Sequence, residues 1–179
     1  MKTLVIAARI ALVGLLLAGG AQAHAVGIPP AYSPIVIEPS RAVADRFEFD
    51  LSAALARAAR EKKRLYIYLA AHDCHYCRRY EAFLDKNATE LVPHFKPYLV
   101  VDLRSALSTT AEQLYIRVGD KSLAYADFQR SINDERARML VYPSVWLLDA
   151  QLKPLMQMPA GTGTFQTVPE QLEILQLVQ

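Results

Sequence analysis

The chain has 179 residues, of which 21% are charged and 53% are hydrophobic, and it carries a formal net charge of +2. This length suits one domain of ordinary size, with enough apolar residues for a substantial core. A charge so close to neutral argues against a protein that is drawn to nucleic acid by its overall electrostatic field.

The N-terminal residues predict an export signal. Lys2 and Arg9 precede an apolar stretch at about 10–18, which leads to a small-residue pattern, Ala-Gln-Ala, ending at Ala23; signal peptidase accepts such a pattern. Cleavage there would remove residues 1–23 and leave a nearly neutral chain. A retained anchor is the alternative, but the apolar stretch is short for a bilayer. We therefore expect a periplasmic or otherwise extracytoplasmic protein with no stable membrane span, in which a cysteine pair can persist as a disulfide.

Residues 24–46 predict an extended, proline-rich arm in front of a single domain over residues 47–179. Prolines prevent a regular helix and disfavour a central strand, and the arm contains Pro29, Pro30, Pro34 and Pro39. Composition leaves open whether the arm packs along the domain or reaches a partner.

The domain alternates between helical and strand patterns. Apolar residues at helical spacing predict helices over about 51–62, from the cysteines to about Lys86, at 88–95 around Pro93, and over 170–178. Apolar runs predict strands at 65–70, 98–103, 139–149 and 152–158, the first of them buried on both faces. Residues 104–138 are mostly polar with helical patches, one of which is expected to include Leu114 and Ile116. We also expect Glu81 on a solvent-facing helix side and Asp102 in a turn at the end of its strand.

The only two cysteines of the chain, Cys74 and Cys77, lie where the first of these strands meets a helix. Side chains three residues apart share a helix face, and the unpaired N–H groups at a helix start favour a thiolate. A protonated His75 would stabilise the Cys74 anion, whereas the carboxylate of Asp73 would oppose it. Tyr76 offers a hydrogen bond or a wall for a substrate. Whether the thiolate is favoured overall stays open at this level.

Two stretches, HDCHYCRRY and VYPSVWLLD, together with the order of the elements, make residues 47–179 resemble the thioredoxin superfamily, and in particular its exported thioredoxin-like domains. The resemblance implies an α/β, thioredoxin-like fold, with a central mixed sheet of about four strands flanked by helices. It also implies a helical insertion at 104–138, before a strand that is entered through a cis-proline. Cys-x-x-Cys alone is a weak motif, but its place between a strand and a helix makes it more specific.

The resemblance also implies roles for single residues. Cys74 matches the exposed nucleophile of the family and Cys77 its resolving thiol. Pro143 matches the cis-proline that lies against the cysteine pair, and Tyr142 matches the residue whose backbone approaches the substrate. An ordinary proline at a strand edge is the alternative for Pro143.

Two positions depart from the cytoplasmic thioredoxins. Asp73 stands in place of a tryptophan, and Tyr68 stands in place of a buried aspartate that accepts a proton. Because tyrosine is a poor base at neutral pH, these departures argue against a general reductase of the cytoplasmic kind.

The sequence therefore favours an exported thiol–disulfide oxidoreductase that exchanges disulfides with protein substrates through Cys74 and Cys77. A redox partner protein would supply or remove the electrons. No organic cofactor or metal is expected, since the disulfide is itself the redox group. One alternative is a non-catalytic scaffold or binding module of an envelope assembly, with a static disulfide. Another is a copper- or zinc-handling protein that would use His72, His75 and the two cysteines.

Overall fold

The structure is a computed structural model and describes residues 26–43, 45–134, 136, 139–156 and 167–177. The predicted signal peptide, its cleavage site at Ala23 and the last residues of the strand predicted at 152–158 lie outside these ranges. The described part of the chain is an α/β structure in which helices cover two mixed β-sheets.

The elements are numbered in chain order. The strands are β1 (Ile35–Ile37), β2 (Ser40–Val43), β3 (Arg46–Asp50), β4 (Arg64–Ala71), β5 (Tyr98–Ser105), β6 (Leu114–Val118), β7 (Lys121–Ala124), β8 (Ser144–Leu148) and β9 (Pro154–Met156). The helices are α1 (Ser52–Glu61), α2 (His75–Lys86), α3 (Ala88–Phe95), α4 (Tyr125–Ser131) and α5 (Val168–Leu177).

The central sheet has the strand order β1-β5-β4-β8-β9. Strands β1, β5 and β4 are parallel, whereas β8 is antiparallel to β4 and β9 is antiparallel to β8. Ile67 in the middle of β4 pairs with Val101 on one side and Trp146 on the other. The sheet has five strands rather than about four because residues 35–37 of the arm add β1 at its edge, where proline-flanked strands are tolerated. This segment of the arm therefore packs along the domain.

Strand β4 is apolar along almost its whole length because both of its faces are covered. Tyr66, Tyr68 and Ala70 belong to a first core, which they share with residues of α2, α3 and α5. Leu65, Ile67 and Leu69 belong to a second core, which they share with residues of α1 and α4. Since neighbouring residues of a strand point to opposite faces, the alternation confirms the predicted central strand and fixes the position of its carboxyl end.

The second sheet, with strand order β2-β3-β6-β7, contributes to the second core. Leu114 and Ile116 of β6 are buried there, and both lie in a strand rather than in the predicted helix. Their spacing of two residues is the period of a strand, and it prevails here because β6 pairs with β3 and β7. The segment 104–138 therefore contains two strands besides α4, and the prediction of a helical insertion was wrong in this part.

The segment between α4 and β8 is held by a buried ion pair. Arg136 donates two parallel hydrogen bonds to Asp134, from Nε to Oδ1 at 2.9 Å and from Nη2 to Oδ2 at 2.7 Å. Trp146 Nε1 also donates to Asp134 Oδ2, at 2.7 Å. Burial raises the pKa of Asp134, but the bonds from Arg136 and Trp146 outweigh burial and leave it below its ordinary value. The ion pair thus ties the chain before Pro143 to the strand that follows it.

Asp134→Asn is expected to lower the free energy of unfolding at neutral pH by about 3 kcal/mol, because it leaves the buried Arg136 without a counter-charge. Urea denaturation measures this loss. Because the pKa of Asp134 is depressed, its contribution to the free energy of unfolding is fully present above pH 3.8, the ordinary pKa of the group. This contribution is lost as the pH falls below that value. Asp127→Asn, which breaks an exposed pair with Arg130, is the matched control. Equal effects of the two substitutions would contradict the structural role of Asp134.

Candidate functional site

The cysteine motif begins directly where the central sheet ends. The N–H of His72 donates to the carbonyl oxygen of Ser105 at 3.0 Å, which extends the β4–β5 pairing by one residue. A turn follows, in which the N–H of Cys74 donates to the carbonyl oxygen of Ala71 at 3.2 Å. Helix α2 begins at the next residue, with Cys74 as its N-cap. The predicted position of the motif at a strand–helix junction is confirmed.

Cys74 and Cys77 form a disulfide, with their Cα atoms 5.2 Å apart. The backbone N–H of Cys77 points at the sulfur of Cys74, with an N···S distance of 3.1 Å. After reduction, this N–H and the helix dipole would favour a thiolate on Cys74 over one on Cys77. The predicted proximity of the two thiols is confirmed, and the Cys74 sulfur is the one that accepts the hydrogen bond from Cys77 N–H at the helix start.

Both cysteines are buried, with 2% of Cys74 and 1% of Cys77 exposed to solvent. The exposed nucleophile that the resemblance implied is therefore not seen in this conformation. Both residues belong to the first core, and the half-buried ring of Tyr142 packs against that core. In this conformation, little of either residue is accessible to a thiolate from another molecule.

The residues around the cysteines face solvent. Tyr76 is 62% exposed, and its ring makes an edge-on contact with the ring of His75, with 5.8 Å between centroids. The carboxylate of Asp73 accepts a hydrogen bond from the N–H of Leu107 at 2.9 Å, which ties it to the loop after β5. In the described part of the chain, the hydrogen bond to the Cys74 sulfur comes from the Cys77 N–H, and neither His75 nor Tyr76 adds another.

Tyr142 and Pro143 lie at the entrance of β8. The peptide bond between them is cis. The next residue, Ser144, pairs with Leu69 of β4, so this segment lies at the end of the sheet from which the cysteine motif emerges. Burial raises the pKa of the Tyr142 phenol, and the nearby charge of Asp73 raises it further. The structure thus brings Tyr142 to the motif, whereas its part in substrate binding stays a prediction.

A metal-binding arrangement of the predicted residues is not formed. The ring of His72 faces the arm, with Nε2 3.2 Å from Oε2 of Glu38, and the two cysteines are bonded to each other. Within the described ranges, no group of three or more His, Cys, Asp or Glu side chains could hold a metal ion.

Sequence reasoning missed a buried charge cluster beneath α2, made of Glu81, Asp102 and Arg104. Each of these residues is 6% exposed or less, so the predictions of a solvent-facing Glu81 and of Asp102 in a turn were wrong. Strand β5 continues to Ser105 and buries Asp102 within it. Glu81 lies four residues after Cys77 and so shares its helix face. That spacing was the signal that could have identified it.

The cluster pairs two carboxylates with one guanidinium. Arg104 donates from Nη1 to Glu81 Oε1 at 2.7 Å and from Nη2 to Asp102 Oδ2 at 2.6 Å. The Tyr68 hydroxyl lies 3.2 Å from Glu81 Oε1 and 3.4 Å from the carbonyl oxygen of Cys77, so it connects the cluster to the cysteine motif. Burial raises the pKa of Asp102 above its ordinary value, although the bonds from Arg104 and from the Ile28 N–H lower it.

No protein-family model matches the chain, and no significant similarity to a curated protein or to a solved structure was found. Among the helices of the described residues, none has the length and apolar character needed to cross a bilayer. What the site can do therefore follows from its own geometry and chemistry.

Proposed function

We propose that the chain is an exported, thioredoxin-like thiol–disulfide oxidoreductase, with Cys74 as the nucleophile and Cys77 as the resolving thiol. The observation that carries this proposal is the Cys74–Cys77 disulfide at the first turn of α2, with the Cys77 N–H directed at the Cys74 sulfur. The strand order β1-β5-β4-β8-β9 supports it as well. The motif follows β4, and Pro143 precedes the antiparallel neighbour of that strand, as the thioredoxin resemblance implies.

The reaction needs two electrons and no organic cofactor. A substrate thiolate attacks the Cys74 sulfur, the Cys74–Cys77 bond breaks, and Cys77 leaves as a thiolate that takes up a proton. A second substrate thiol, after losing its proton, then attacks the mixed disulfide and releases Cys74. The substrate leaves as a disulfide, and the cysteine pair has been reduced by two electrons. A redox partner protein restores the starting state, and the reverse sequence reduces a substrate disulfide.

In the reducing direction, Cys77 must lose its proton before it attacks the mixed disulfide, and we propose that the buried cluster accepts it. Cys77 lies in an apolar core, where a charged sulfur is poorly solvated, and Glu81 lies one turn further on the same helix face. Burial and the nearby Glu81 carboxylate raise the pKa of Tyr68 well above its ordinary value, so its hydroxyl stays protonated at neutral pH. In this proposal, Glu81 takes over the proton-accepting role that Tyr68 cannot fill.

Exchange requires an open conformation, since both sulfurs are buried. The Tyr142 ring packs against the core that holds the cysteines, so we propose that displacement of Tyr142 opens the path to Cys74. The same burial favours a second candidate function, in which the disulfide is structural and the fold serves as a binding module of an envelope assembly.

The test is catalysed disulfide exchange by the purified chain, followed as the reduction of a disulfide-bonded protein by dithiothreitol. We expect wild type to accelerate the reaction and Cys74→Ser to leave it at the uncatalysed rate. Serine is a good N-cap, so α2 should be retained in this variant, and thermal unfolding would check it. Equal rates for both chains would remove the enzymatic proposal. A reduction potential below about −300 mV would then support a structural disulfide.

A further inference from the structure

The arm reaches into the buried charge cluster with its backbone. The N–H of Gly27 donates to Glu81 Oε2 at 3.1 Å, and the N–H of Ile28 donates to Asp102 Oδ2 at 2.8 Å. These contacts join residues 54 and 74 positions apart in the chain. Two consecutive amides of the arm therefore bind the two carboxylates, one each.

The arm is shaped for this close approach. Gly27 has a φ of +137°, and a Cβ at this position would lie 2.9 Å from Arg104 Nη2 and 3.0 Å from Asp102 Oδ2. Ile28 is 4% exposed and packs in the first core. Further along the arm, the hydroxyl of Tyr32 donates to the carbonyl oxygen of Leu84 at 2.8 Å. Only glycine allows the chain to pass so near the guanidinium.

The two amides contact the carboxylates of the buried cluster, one of which, Glu81, lies one helical turn after Cys77. The groups that face the carboxylates are Tyr68 from β4, Arg104 from β5 and the arm amides. Within the described residues, Arg104 is the cation that pairs with both acids, and Asp102 Oδ1 is buried without a hydrogen-bond partner. Each amide therefore fixes the position of one carboxylate beneath α2.

We propose that the N–H groups of Gly27 and Ile28 set the dithiol–disulfide equilibrium of Cys74 and Cys77 by holding the carboxylates of Glu81 and Asp102 in place beneath α2. Negative charge near the cysteine pair disfavours a thiolate. Because the amides keep two carboxylates beneath the pair, they bias the equilibrium toward the disulfide. The use of this bias rests on the proposed function, but the equilibrium itself can be measured without any turnover.

The experiment equilibrates the full chain with dithiothreitol, whose two thiols become its cyclic disulfide as Cys74–Cys77 is reduced. Two substitutions disturb the amides: Gly27→Ala forces them away from the cluster, and Ile28→Pro removes one N–H. We expect each to shift the equilibrium constant toward the reduced pair by about tenfold, which corresponds to about 30 mV. Tyr32→Phe loosens the arm at another point, leaves both amide contacts in place, and should change the constant less than about twofold.

A double-mutant cycle separates the amides from general loosening of the arm. In the background Arg104→Met with Glu81→Gln and Asp102→Asn, which has neither a carboxylate to hold nor an unpaired cation, Gly27→Ala should no longer shift the constant. The inference is overturned if Gly27→Ala has no effect in the wild-type background, if its effect persists without the carboxylates, or if Tyr32→Phe shifts the constant equally. Loss of catalysed exchange with a normal amide effect would instead count against the proposed function alone.

Discussion

Cys77→Ser is expected to stop turnover and to leave the chain in a stable mixed disulfide between Cys74 and its substrate. In the proposed mechanism, Cys77 resolves that bond from one helical turn away, and well-oriented intramolecular groups act at effective molarities of about 10⁵ M or more. An external thiol at millimolar concentration cannot replace it, so we expect release to slow at least about a thousandfold. Mass spectrometry under non-reducing conditions would detect the adduct, and peptide mapping would place it on Cys74.

The control for this experiment is Cys74→Ser, which should form no adduct. Burial does not distinguish the two sulfurs, since both residues are almost fully enclosed. The helix start distinguishes them, because the Cys77 N–H donates to the Cys74 sulfur and would stabilise a thiolate there. An adduct on Cys77 in the Cys74→Ser chain, formed as fast as that on Cys74 in the Cys77→Ser chain, would contradict the assigned roles.

Arg104→Met is expected to cost about 3–5 kcal/mol of folding free energy at neutral pH, the largest stability effect that we anticipate. It removes the cation that Glu81 and Asp102 share in the buried cluster, and leaves two carboxylates with little beyond the arm amides and Tyr68 to stabilise them. Urea denaturation at pH 7 would measure the loss. Arg57→Met, which breaks an exposed pair with Glu61, should change stability by less than about 1 kcal/mol.

The pH dependence of Arg104→Met has a definite sign. Burial already raises the pKa of Asp102 and Arg104 lowers it, so removing Arg104 raises it further. A carboxylate with a raised pKa in the folded state is destabilising above that pKa, and the penalty falls as the pH drops toward the unfolded value. The deficit of the variant should therefore shrink between pH 7 and pH 4. A deficit that stays constant or grows over this range would show that lost packing, rather than unpaired charge, is responsible.

A triple substitution also tests, at neutral pH, whether unpaired charge rather than lost packing destabilises Arg104→Met. Arg104→Met combined with Glu81→Gln and Asp102→Asn removes the cation and both acids together. Because replacing a whole buried ionic group by neutral residues is often close to neutral, the triple variant should be more stable than Arg104→Met alone. A triple variant as unstable as the single one would contradict the importance of charge in this cluster.

Local pattern was enough to predict the centre of the site. The apolar run of β4, the helical spacing after it and the interval of three residues between Cys74 and Cys77 are short-range features. They predicted a strand–helix junction with two thiols in contact, and the structure has both. Strand β6 shows the limit of the same method: the apolar pair Leu114 and Ile116 fits a strand equally well, and pairing with β3 and β7 decides the outcome.

The surroundings of the disulfide, in contrast, depend on contacts between residues far apart in the chain. Short-range amphipathic patterns place charged residues outside, so they could not anticipate that Glu81 and Asp102 form buried ion pairs with Arg104 beneath α2. Nor could they show that amides of Gly27 and Ile28 bind those acids across more than 50 residues. The sequence by itself determined where the sulfurs lie and which helix they begin. Only the tertiary structure decided how deeply they are buried and which charges lie beneath them, because desolvation and ion pairing act on neighbours in space rather than in sequence.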